Sequence, residues 1–189
     1  FNTNVEQLKT SMPHYIRGQH MLAITPIFHG FGLADCVHTS LCANFKLVLL
    51  PRYDEKIVAK TLEKEKITFF VGVPTLFASM VSSRYFKNVN LSLLASPISR
   101  GGDNLPIDLE RRVNNFLEKH KGPHELYKGM GMTECLAAAF FSCDGANYES
   151  SVGIPLPMNI YKIVKPGTTE EVPYGTNGEI CINGSTVMR

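Results

Sequence analysis

Seven residues, GMGMTEC at positions 129–135, bring two glycines, a hydroxyl, a carboxylate and a thiol together just after an apolar run. Gly129 and Gly131 lack a Cβ, so the backbone there can approach a ligand closely. Thr133 offers a hydroxyl to a phosphate oxygen, and Glu134 offers the hard oxygen that Mg²⁺ prefers. The same string also describes a glycine turn leading into a capped helix start, so by itself it leaves phosphate chemistry and a structural turn both open.

Three further segments carry comparable residue types. RGGDN at 100–104 supplies a second glycine pair, which with the first gives two backbones able to close on one flat ligand; Asp103 or Asn104 equally suits a cap for a helix starting at Pro106. PIFHGFG at 26–32 holds His29 in apolar company without a Cys, Ser or carboxylate partner. That disfavours a metal site or a triad and leaves a packed residue or a substrate-pocket wall. GVPT at 72–75 is a strand-end turn. His120 and His124 straddle a Gly-Pro break and read as surface residues. The chain contains neither G-x-S-x-G nor G-x-x-x-x-G-K-[ST], so an α/β-hydrolase nucleophile and a P-loop are not indicated.

These segments need a scaffold, and the hydrophobic pattern describes one. Short apolar runs alternate with helical stripes up to about Cys143, as in βα units around a parallel sheet. The spacing predicts a helix over 5–15, a buried strand over 20–26, a helix over 32–43 and a strand over 46–51. Asp54 is placed to cap a helix burying Ile57, Val58, Thr61 and Leu62, with Glu55, Lys56, Lys60, Glu63 and Lys64 in water. A continuous apolar strand over 67–73 precedes Pro74, which suits the first turn of a helix burying Leu76, Phe77, Met80 and Val81. A weaker strand over 94–99 leads to a helix carrying Leu109, Val113, Phe116 and Leu117, and a last strand covers 124–129. In an open parallel sheet, ligands gather at the carboxyl ends of the strands, and all four segments fall there. Beyond about Asn147, Pro and Gly recur and helical stripes stop, which predicts a small β-sheet or part of a barrel.

Composition narrows the partners. The 189 residues carry a net charge of +2 with no dense basic block, which gives no reason to expect nucleic acid or an anionic membrane. A 44% hydrophobic content supports a sizeable core. The five cysteines are odd in number and never at C-x-x-C spacing. No disulfide framework or structural zinc site reads out, a cytoplasmic location fits, and each Cys is expected to be a small buried hydrophobe. A signal-like N-terminus and an 18-residue apolar run are both absent from the string, which disfavours secretion and membrane spanning.

In order along the chain, PIFHGFGL, LVLLPRYD, FFVGVPTLF, RGGDNLP, GMGMTE, SVGIPLP and NGEICINGSTVM resemble the adenylate-forming superfamily of acyl-CoA synthetases, luciferases and peptide-synthetase adenylation domains. The match covers nearly the whole chain, and RGGDNLPIDLERRVNNFLEKH with MGMTEC looks most like the long-chain fatty-acid ligases of anaerobic Gram-positive bacteria. The resemblance implies an α/β fold, with a mostly parallel sheet flanked by helices over residues 1–146 and the start of a β-barrel-like subdomain over 147–189. It also implies a two-step reaction in which a carboxylate attacks the α-phosphate of ATP, giving an acyl-adenylate and pyrophosphate, and coenzyme A then takes the acyl group.

On the same resemblance, Thr133 would hydrogen-bond phosphate, Glu134 would ligate Mg²⁺, and Gly129, Met130, Gly131 and Met132 would line the adenine and acyl sites. Gly101, Gly102, Asp103 and Asn104 would lie on the other side of the adenine; His29, Phe31, Val73, Pro74 and Thr75 would border the acyl pocket. Met130 and Arg100 stand where such proteins usually carry an aromatic and a small residue. The phosphate loop would precede residue 1, and the ribose-binding Asp and the small domain with its catalytic Lys would follow Arg189. The chain then reads as a middle section, inactive alone. Two other readings are an adenylation domain that loads an amino acid or acyl group on a carrier protein, with Asp35 the only acidic candidate to meet an amino acid's ammonium, and a non-catalytic α/β binding module.

Overall fold

The computed structural model describes residues 1–12, 18–100 and 104–188. Gly101, Gly102 and Asp103, and the end of the expected first helix, lie outside the described residues.

Five parallel strands form the centre: β1 (His20–Ala23), β2 (Lys46–Leu49), β3 (Phe69–Gly72), β4 (Ser96–Arg100) and β5 (Tyr127–Met130), in spatial order β2-β1-β3-β4-β5. Two short strands, β6 (Phe140–Phe141) and β7 (Ile154–Pro155), extend the sheet in antiparallel fashion. Side chains alternate across a strand, so the central strands β1 and β3 feed two cores. Leu22, Ile24 and Phe70 point into one face with α3 (Glu55–Lys64), α4 (Pro74–Ser82) and α5 (Ile107–Lys119). Met21, Ala23, Phe69 and Val71 point into the other, with Leu8 of α1 (Asn2–Ser11), Phe31 and Cys36. Burial on both faces is why these strands read as continuous apolar runs. β3 is buried along its whole length.

The expected fold class is the observed one: α/β, with a mostly parallel sheet flanked by helices and a short β-rich segment. The position of the expected division at 147 falls between β6 and β7 of this same sheet, because Ile154 and Pro155 still pair with Phe141 and Phe140. Beyond them, β8 (Asn159–Val164) and β9 (Glu179–Gly184) form a separate antiparallel hairpin.

Several local expectations are corrected. The helix over 32–43 is a wide π-helical stretch, Phe31–His38, before a short α2 (Thr39–Ala43). Thr39 donates both its backbone N–H and its Oγ1 to the Ala34 carbonyl five residues back, which opens the turn. Asp54 does cap α3, accepting from the Ile57 N–H at 2.9 Å. Ile57, however, is exposed and Ala59 takes its place inside. Glu55 does not simply face water, since two serine hydroxyls of the neighbouring helix end donate to it. Pro106 itself, which has no side-chain acceptor, is the cap residue of α5. His120 is buried rather than on the surface, its ring stacked near Phe116 and its nitrogens facing the Phe116 and Lys87 carbonyls. Of the cysteines only Cys36 and Cys135 are buried; Cys42 is exposed, and Cys143 and Cys181 are half-buried.

Candidate active site

The chain leaves β1 for β2 on one side and then returns past β1 to β3 on the other. Such a reversal opens a crevice outside the carboxyl ends of the strands, because successive connections part there. A cavity of about 1480 Å³ occupies this position. Its walls come from residues 24–31 after β1, 49–53 at the end of β2, Val73, Thr75, Leu76 and Ser79 around the start of α4, and 131–134 with Ala137 after β5.

Eight residues singled out in the sequence meet in this one space: His29, Phe31, Val73, Thr75, Gly131, Met132, Thr133 and Glu134. Pro74 is buried at the first turn of α4 and is not part of the lining. Gly129 and Met130 belong to β5, and Met130 packs against Cys135, Ala139 and Phe140 instead of facing the cavity. Asn104 is exposed and also stands apart from the lining.

The GMGMTE segment is not a helix start. Thr133–Cys135 is a single 3₁₀ turn without a side-chain cap, and both Thr133 and Glu134 are exposed to the cavity mouth. Its shape is set by backbone. A Cβ on Gly131 would stand 1.1 Å from the Ala137 carbonyl oxygen, so only glycine fits. Leu136 and Ala137 then both adopt the left-handed region, at φ 60 and φ 82, which non-glycine residues occupy at a cost. The Met188 N–H donates to the Glu134 carbonyl at 2.7 Å and holds the turn from outside. The thiol of Cys135 is buried behind it, and desolvation raises its pKa, so it is a packed group and not a nucleophile.

His29 is exposed in the cavity, and its Nδ1 accepts from the Phe31 N–H at 3.1 Å. That bond requires an unprotonated Nδ1, so the neutral ring presents Nε2–H as a donor. Glu134 brings one exposed carboxylate to the lining. Among the described residues no group of three or more His, Cys, Asp or Glu gathers as a preformed metal cage.

The segment missed in the sequence is the end of β2. Tyr53 lines the cavity, and its hydroxyl donates to Ser79 Oγ at 3.1 Å; Ser79 donates to Glu55 at 2.5 Å, and Ser83 donates to the other Glu55 oxygen at 2.6 Å. The two hydroxyls hold the Glu55 carboxyl below its ordinary value, with Ser79 the larger influence, while burial raises the Tyr53 phenol. The hydroxyls of Tyr53, Ser79 and Ser83 are thus engaged within this wall, and the exposed Arg52 side chain lines the cavity beside them. Reading LVLLPRYD as one more strand end, like the other three, would have found it. Asp35 is fully buried and does not line the cavity, so no carboxylate from the π-helical stretch reaches it to meet a substrate ammonium.

A family model for AMP-binding enzymes matches residues 2–189. The chain belongs to the AMP-binding enzyme family. Within that family it is 29% identical over 172 residues to a long-chain-fatty-acid–CoA ligase of Bacillus subtilis, covering 90% of this chain and 30% of that enzyme. It is 27% identical over 172 residues to luciferin 4-monooxygenase of Nipponoluciola cruciata, covering 91% and 30% respectively. Among solved structures, ATP-bound MatB from Rhodopseudomonas palustris superposes with a TM-score of 0.86 at 24% identity, over 98% of this chain and 35% of that one, which establishes a shared fold. The chain thus spans about a third of the length of the AMP-binding enzymes it matches.

Proposed function

We propose that this chain is the middle section of an ATP-dependent acyl-CoA ligase, which activates a carboxylic acid, a fatty acid above all, as its adenylate and passes it to coenzyme A. The observation that carries this reading is that one cavity sets Thr133 and Glu134 beside an apolar trough of Phe31, Leu50, Val73 and Leu76. A polar end for a phosphate and a long apolar wall suit a mixed anhydride of a nucleotide and an apolar acid. The volume also exceeds the roughly 300–1,000 Å³ of a site for one drug-sized ligand, leaving room for both parts. Four strand spacings separate the β2 and β5 ends, roughly 19 Å at about 4.8 Å each, which favours an extended acyl group over a compact one.

In this reading Thr133 donates to the α-phosphate and Glu134 holds Mg²⁺, whose charge screens the phosphates when bound. Gly131 and Met132 lie along the nucleotide, with Gly101, Gly102, Asp103 and Asn104 assigned to its adenine. His29 presents Nε2–H to the substrate end, and Phe31, Val73, Pro74 and Thr75 shape the acyl pocket. Residues 147–189 begin a β-barrel-like subdomain, and the enzyme acts in the cytoplasm. No helix among the described residues is long and apolar enough to cross a membrane.

The test is ATP–pyrophosphate exchange by the full-length parent across carboxylates of graded length. Exchange that rises with chain length and then falls is expected; exchange with amino acids alone, or with no carboxylate, overturns the reading. The isolated 189 residues are expected to form no thioester, because the charge partners for the pyrophosphate lie in other parts of the parent.

A further inference from the structure

One residue before the GMGMTE segment, on β5, begins a feature that the proposed chemistry does not use. Lys128, the residue before Gly129, and Glu110, in the first turn of α5, form an ion pair whose side chains are only 6% and 4% exposed. Lys128 Nζ also donates to the Tyr148 carbonyl at 2.9 Å. The next residue of the helix, Arg111, forks onto both oxygens of Glu149 at 2.7 and 2.9 Å. The strand side is equally fixed, since the Lys128 N–H donates to Ser142 Oγ at 2.6 Å and the Ser142 N–H donates to the Lys128 carbonyl at 2.8 Å.

The pair is not built for stability. Taking two charges out of water costs more than their attraction returns unless every remaining lone pair is satisfied. Here the second Glu110 oxygen is buried and accepts no hydrogen bond among the described residues. An apolar pair of similar volume would serve the core as well, as Leu109, Val113 and Leu126 do around it. What the ion pair supplies is direction. A lysine and a carboxylate meet in one geometry, whereas two aliphatic side chains slide.

We propose that Glu110 and Lys128 are positioning residues that lock the N-terminal turn of α5 to the last turn-forming end of β5. They thereby fix the segment that leaves β5, residues 129–134, against the first turn of α5. Resting on the reading of residues 129–134 as one side of the nucleotide site, the pair governs how tightly ATP is held and leaves the acyl pocket at the β2 end of the cavity untouched. Lys128 and Glu110 touch no substrate in this account; they act through the backbone on which Gly129 to Glu134 ride.

The test uses the full-length parent and ATP–pyrophosphate exchange. The double variant Glu110→Leu/Lys128→Met removes both charges at similar volume; Glu110→Gln, which keeps shape and one hydrogen bond, is the milder companion if the double variant does not fold. Expected are a rise in KM for ATP of about tenfold in the double variant and about threefold in Glu110→Gln, with kcat and the KM for the carboxylic acid within about twofold of wild type. A folded variant with unchanged KM for ATP overturns the proposal, as does a parallel change in the KM values for ATP and acid, which would mark a merely structural pair. A wild-type parent that exchanges no pyrophosphate with any carboxylate defeats the ligase reading itself, a result separate from either variant outcome.

Discussion

The two ends of the cavity are built by different means. At the β5 end the backbone does the shaping: Gly131 has no room for a Cβ, and Leu136 and Ala137 are held at positive φ behind it. At the β2 end side chains do it, with Tyr53 on Ser79 and both Ser79 and Ser83 on Glu55. A backbone-built wall accepts no added atom, because the obstacle is another peptide group. A side-chain wall loses one hydrogen bond at a time and can be reshaped. The first kind suits a group that never varies, such as a phosphate, and the second suits a group that differs between related enzymes, such as an acyl chain.

The sharpest way to break this contrast is Gly131→Ala. The added methyl meets the Ala137 carbonyl head-on, so the cost expected is on the order of 3 kcal/mol or more, read by denaturant unfolding. Near-native stability would show that the β5 end can yield. Next in size, Glu134→Gln in the full-length parent is expected to slow pyrophosphate exchange about 100-fold with an unchanged unfolding midpoint, since the side chain is exposed and supports no packing. An unchanged rate would remove Glu134 from the metal role.

Glu55→Gln probes the other end. The folded carboxyl sits below its ordinary 4.5 because the two serine hydroxyls favour the charged form. The unfolded chain therefore takes up the proton first, so this contribution is whole above the ordinary value and is lost as pH falls through the lower, folded value. The stability difference between wild type and Glu55→Gln should accordingly be largest at neutral pH and close in acid, and acyl-chain preference should shift while KM for ATP does not. A gap that widens in acid would contradict the assignment. The smallest effect belongs to Ala137→Gly, where relief of the left-handed strain is opposed by the greater freedom of glycine in the unfolded chain. A change within about 1 kcal/mol is expected, and a large loss would mean that the Ala137 methyl packs as part of the wall.

Much of the scaffold was legible because an apolar run leaves a plain mark, whether the strand is buried, as β1 and β3 are, or lies half-exposed at the sheet edge, as β2 does. The runs that become β1, β2 and β3 are apolar at nearly every position, and Asp54 and Pro74 announce the helices that follow them. Local exceptions had tertiary causes. The wide turn at Phe31–His38 depends on Thr39 reaching back to Ala34, and its amphipathic pattern is that of any helix. His120 looked solvent-facing beside a Gly-Pro break, yet the carbonyl of Lys87, distant in sequence, meets its ring. Glu55 sits in a charged run, and only the packing of α4 against α3 turns it into an acceptor for two serines.

The candidate site divides in the same way. Residue types along the string mark His29, Phe31, Val73, Thr75 and 131–134 as strand-end groups, and their order identifies the family. The reason is that glycine, hydroxyl and carboxylate at strand ends are read locally, one connection at a time. That these groups share one cavity with Pro51, Tyr53 and Ser79, and that Lys128 of β5 meets Glu110 of α5, was decided only by the tertiary packing around the sheet order β2-β1-β3-β4-β5. Strand order is a property of which faces pack on which, and that choice is made by long-range burial which no local spacing records.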